Sequence, residues 1–110
     1  MKVLKFGGTS VANSKALYNV IDIIKQNKNQ KIVVVVSALG GITDILSEML
    51  NKAINKGNVY KTFLNLIEER HLEPIQKFIP LEKQSELISF LKSKINEIED
   101  VLDAISMINE

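Results

Sequence analysis

Five consecutive β-branched residues, Ile32 to Val36 in the run KIVVVV, constrain this chain more than any other feature. Such side chains are stiff at χ1, poor in helices and well suited to a pleated strand. The run does not alternate with polar residues, so it predicts a parallel strand covered on both faces. A parallel neighbour needs a crossover, and the preceding segment supplies one. Residues 2–6, KVLKF, read as a second strand. Between them Leu17, Val20, Ile21 and Ile24 recur at helical spacing, leaving Lys15, Asp22 and Lys25 for solvent. A βαβ unit is expected within the first 36 residues.

Helix dominates afterwards. Ile42, Ile45, Leu46, Met49, Leu50, Ala53 and Ile54 mark one helical face, predicted to end near Gly57 as a C-cap. Tyr60, Phe63, Leu64 and Ile67 mark another helix, and Pro74 and Pro80 are expected to bracket short pieces or turns. Ile88, Leu91, Ile95, Ile98, Leu102 and Ile105 then step by threes and fours along a helix from about Glu82 to Met107. That stripe is under three heptads, so it reads as a long helix packed antiparallel on its neighbour. An intermolecular coiled coil is the alternative. The composition changes near residue 57 without a glycine- or serine-rich linker, giving an α/β part, 1–57, and a helical part, 58–110. Two parallel strands alone make a poor sheet, and Ile32–Val36 would keep an unpaired apolar edge. Either a partner chain supplies further strands or, the reading favoured here, the chain is the first part of a longer polypeptide.

Composition removes several function classes. There are no cysteines, which excludes thiol nucleophiles, disulfides and zinc–thiolate sites. A net charge of +1 gives no nucleic-acid footprint, and no stretch approaches the roughly 20 apolar residues of a membrane span. A soluble, cytoplasmic protein without nucleic-acid or membrane partners is expected. His71, the one histidine, lacks a second ligand for a metal and reads as a surface residue near a turn. Glu68, Glu69, Glu97, Glu99 and Asp100 read as solvated helix faces, and no carboxylate pair suited to Mg²⁺ is evident.

Two glycine turns carry the chemistry. In KFGGTS, Gly7 and Gly8 let backbone N–H groups approach an oxyanion, Thr9 and Ser10 add hydroxyls, and the following helix N-terminus favours negative charge. Lys5 precedes Phe6 on the strand, so it leaves on the opposite face and can reach over the sheet end toward a phosphate. The lysine lies before the glycines, so this is not a Walker A loop. In SALGGITD, Ser37 ends the buried strand, Gly40 and Gly41 bend, and Thr43 is expected to cap the next helix. Parallel strands put both turns at the carboxyl ends, where open α/β sheets bind ligands. On the residues alone, plain strand–turn–helix connections remain an alternative.

VLKFGGTSVAN resembles the N-terminal signature of aspartate kinases, and VVVVSALGGITDIL resembles that family's second loop at the expected distance. The opening and the helical stretch ending VLDAISMINE are most similar to the aspartokinase half of bifunctional aspartokinase–homoserine dehydrogenases. The resemblance implies an α/β fold: the N-terminal part of an amino-acid kinase fold, a βαβ unit followed by a mainly helical segment. It implies ATP-dependent phosphorylation of L-aspartate to 4-phospho-L-aspartate, in threonine, lysine and methionine biosynthesis, with ATP and Mg²⁺ and in a homo-oligomer. Carried over, Lys5 is catalytic and neutralises phosphate oxygens. Gly7, Gly8, Thr9 and Ser10 bind ATP phosphates, while Ser37 and Thr43 line the aspartate pocket. Asp44 stands where many members have asparagine, and is expected to point away from substrate. The later substrate-binding and ADP-binding segments are missing, so the chain alone is expected to be inactive. The other readings are a helical dimerisation module, a phosphate-binding module, and a kinase for a different amino acid.

Overall fold

A computed structural model describes residues 1–55 and 60–108. It divides into two compact units, Met1–Ile42 and Thr43–Glu110. The C-cap expected at Gly57 and the division at 57/58 lie outside the described residues.

The first unit is the expected βαβ. β1 (Lys2–Phe6) and β2 (Ile32–Val36) pair in parallel, in register from Lys2 with Ile32 to Phe6 with Val36. α1 (Ser14–Gln26) crosses between them. Asn13 caps α1, its side-chain oxygen accepting from the Ala16 N–H at 2.9 Å. Such a cap is worth about 1 kcal/mol. The apolar face of α1 closes on the strands: Phe6, Val11 and Val20 form a core, with Leu4, Leu17, Ile24 and Leu39 packed around it. Each fully buried side chain of this kind contributes about 1.5–3 kcal/mol.

Strand alternation puts Leu4 and Phe6 under α1 and turns Val3, Lys5, Val33 and Val35 to the other face. The expected double coverage of β2 is not met. Val33, Val34, Val35 and Val36 are 44%, 38%, 45% and 57% exposed. Within this unit a single helix covers a two-stranded sheet, so one face and the β2 edge have no layer against them.

The second unit is helical. α2 (Ile42–Asn55) starts at its boundary and buries Met49 and Ala53. α3 (Lys61–Phe78) and α4 (Leu81–Ile108) form an antiparallel hairpin, bridged at one point by Lys92 Nζ with Glu68 at 2.7 Å. The stripe at 88–105 is spent on this packing: Leu102 is buried and its other members are half-buried. The intramolecular reading of that stripe is therefore the one observed.

Pro80 sits in the turn as expected, forcing Ile79 into an extended conformation (ψ 133°) and so ending α3. Gln84 completes the turn, its side-chain amide donating to the Ile79 carbonyl at 2.9 Å. Pro74 corrects the sequence reading, because it lies inside α3. A proline here removes one helical N–H, but Leu64, Ile67 and Ile75 bury on both sides of it, and that packing keeps the helix going. His71 is likewise not at a turn. It is half-buried within α3, and its Nδ1–H donates to the Ile67 carbonyl at 2.8 Å.

One node was not legible from sequence. Tyr60, fully buried at the start of α3, donates its hydroxyl to Asp103 of α4, with Lys61 Nζ 3.9 Å from the same carboxylate oxygen. Burial, then the Asp103 hydrogen bond and the charges of Asp103 and Glu99, pushes the phenol from 10.0 up to about 12. The folded state thus holds a proton that the unfolded state releases first. Stability from this node is full below pH 10.0 and is lost as pH rises toward 12. Tyr60→Phe should remove that alkaline sensitivity. Urea unfolding of both proteins across this range checks it, and identical pH slopes would contradict it.

Candidate functional site

Both glycine turns belong to the first unit and meet at the carboxyl end of its strands. The Gly40 N–H donates to the Val11 carbonyl at 3.3 Å, and the Ser37 N–H to the Phe6 carbonyl at 3.1 Å. A Cβ built on Gly8 would lie 3.8 Å from Ser37 Oγ and 4.0 Å from Gly40 Cα. Gly8, Ser37 and Gly40 are therefore neighbours, as the parallel topology predicts.

Other expectations change. The residues after Gly7 form a short 3-10 turn (Gly8–Val11), closed by the Ser10 N–H to the Gly7 carbonyl at 3.1 Å. α1 begins later, at Ser14, with its N-terminus already capped by Asn13. Any cradle at the first turn thus rests on 3-10 N–H groups, and the dipole of α1 starts farther along. The left-handed conformation is found at neither Gly7 nor Gly8 but at Gly41, with φ 84°. Gly7 is extended (φ −82°, ψ −176°), and a Cβ there would meet nothing within 4 Å. Gly40 is glycine for another reason: a Cβ would come within 2.9 Å of the Gly8 carbonyl oxygen and 3.0 Å of Ala12.

Thr43 does not cap α2. The helix starts at Ile42, whose N–H donates to the Leu39 carbonyl at 3.0 Å, so Thr43 is already its second residue. The left-handed Gly41 takes the place before the helix that the sequence reading gave to a hydroxyl. Asp44 is exposed in the first turn of α2.

Lys5 is exposed on the sheet face opposite α1, and its ammonium makes no hydrogen bond or ion pair among the described residues. Thr9 and Ser10 border a shallow cleft against α1, beside Ala16, Asn19 and Ile23. Ser37 is exposed, and its hydroxyl donates to the Ala38 carbonyl at 2.7 Å. The electrostatics favour an anion. Residues 1–42 hold six lysines against the single Asp22, and residues 1–21 and 31–43 contain no acidic side chain at all. The rest of the chain is net acidic. Among the described residues no group of three histidine or acidic side chains could hold a metal ion, and no helix is long and apolar enough to cross a membrane.

The model of the amino acid kinase family matches residues 1–110. The chain is 30% identical over 103 residues to bifunctional aspartokinase/homoserine dehydrogenase 1, chloroplastic, of Zea mays, covering 94% of this chain and 11% of that protein. To the bifunctional aspartokinase/homoserine dehydrogenase of Buchnera aphidicola it is 30% identical over its whole length, which is 14% of that protein. A shorter match, 41% over 59 residues, covers 52% of this chain and 15% of the aspartokinase of Rickettsia conorii. The chain thus spans between 11% and 15% of these relatives. A whole-length family match, a parallel βαβ unit and two converging glycine turns lead to one assignment: this chain belongs to the amino acid kinase family.

Proposed function

We propose that, within a longer protein, this chain supplies the phosphate-binding part of an aspartate kinase. The observation that carries the reading is the meeting of Gly8, Ser37 and Gly40 at the strand ends, in a unit whose only acidic residue lies elsewhere. Its aspartate specificity rests on the names of the relatives.

In the proposed reaction a side-chain carboxylate oxygen of L-aspartate attacks the γ-phosphorus of ATP. The bond to the bridging oxygen breaks, and ADP leaves. Such transfers depend on positioning and on stabilising charge over the phosphoryl oxygens. Lys5, one residue from the end of β1, is the proposed source of that positive charge. The N–H groups of Gly7 and Gly8 and the hydroxyls of Thr9 and Ser10 are proposed donors to the phosphates. Ser37 offers a hydroxyl to a substrate carboxylate; Thr43, from the second unit, is given the same role on family grounds alone. The described residues do not fit a Mg²⁺ site.

The test is the full-length protein with ATP and hydroxylamine, which traps an acyl phosphate as its hydroxamate. Hydroxamate is expected with L-aspartate and not with L-glutamate or carbamate. Product from one of the latter alone would move the protein to another amino-acid kinase. No product from any acceptor would favour a binding module.

A further inference from the structure

α4 carries a second stripe that the hairpin does not use. Leu87, Phe90, Lys94, Glu97, Val101, Ala104 and Ile108 also step by threes and fours, and all seven are exposed. Phe90, Val101 and Ile108 are 60%, 58% and 81% exposed. The stripe lies one residue, about 100° of helix, from the one packed on α3. Its charge is also divided. From Ile95 to Ile108 the helix holds Glu97, Glu99, Asp100 and Asp103 and no base, while before Ile95 Lys83, Lys92 and Lys94 outnumber Glu82 and Glu86.

We propose that this face is an antiparallel, two-fold interface between two copies of the chain, with the axis between Ile95 and Asn96. The occupant follows from self-complementarity. Around that axis Lys94 meets Glu97 of the second copy, Phe90 meets Val101, and Leu87 meets Ala104. Every contact occurs twice, as an isologous dimer requires. A parallel copy would instead set Lys94 on Lys94 and Glu97 on Glu97. Phe90 also has a place to go: Val101 stands at the lip of an apolar groove lined by Leu50, Ile98, Leu102 and Ile105. Within one chain Lys94 and Glu97 pair weakly, at 3.4 Å with both side chains more than half exposed, so exchanging partners costs little. The inference does not depend on the proposed function.

The test is sedimentation equilibrium of the 110-residue chain. A dimer is expected. Lys94→Glu and Glu97→Lys should each weaken it by at least about tenfold, since each places like charges together twice. An equimolar mixture of the two variants should dimerise again, because each then faces its opposite. Circular dichroism should show unchanged helix in both, as the substitutions are exposed. A wild-type monomer at all concentrations overturns the proposal, as does a mixture that stays monomeric. Association untouched by either variant also overturns it, and would point to the open edge of β2.

Discussion

Lys5→Ala should lower kcat of the full-length enzyme by about 10²–10³-fold, the usual cost of removing one charge-stabilising donor from a reacting centre. Lys5 is exposed and makes no contact that folding needs, so the melting temperature should not move. If its ammonium acts mainly on charge that builds in the transition state, kcat and kcat/KM for ATP should fall together. A rise in KM with kcat intact would make Lys5 a binding residue only. Unchanged turnover would remove the aspartate-kinase reading of this end of the sheet.

Gly40→Ala should be the most damaging small substitution in the first unit. The new methyl group would press on the Gly8 carbonyl oxygen and the backbone of Ala12, neither of which can swing away like a side-chain tip. Overpacking of this kind costs about 1–3 kcal/mol, and here the strain enters the turn proposed to hold phosphate. Both the melting temperature of the 110-residue chain and turnover of the full-length enzyme should drop. Gly7→Ala is the control. Its extended backbone accepts alanine and its surroundings are empty, so stability should hold while activity falls, because the methyl group occupies the proposed approach of a phosphate. Equal stability losses in the two variants would show that Gly40 has no special role in joining the turns.

Much of this was legible because local rules and topology agree. KVLKF and IVVVV could only be strands, Leu17, Val20 and Ile24 only a covering helix, and parallel pairing then forces both glycine turns to one end. The long stripe at 88–105 named α4 and its partner face together. Where the reading failed, a tertiary contact decided. Pro74 looks like a breaker until Ile67 and Ile75 are seen buried on either side of it. Tyr60 and Asp103 stand 43 residues apart and carry no shared pattern. At the site, sequence identified the glycines but not the separate demand made on each of them. The positive φ is at Gly41, the close approach is at Gly40, and neither the backbone nor the surroundings of Gly7 demand glycine.

The parallel register of β1 and β2 also sets an order of events. Every pair in that ladder joins residues thirty positions apart, so no rung can form until the whole crossover has closed. The α3–α4 hairpin closes through the turn at Ile79–Pro80, and local contacts of this kind form in microseconds to milliseconds. The helical half should therefore stand first while the valine strand still waits for its neighbour. In that interval the chain is most open to mispairing with other chains, and a holding chaperone would have most to grip along Val33–Val36.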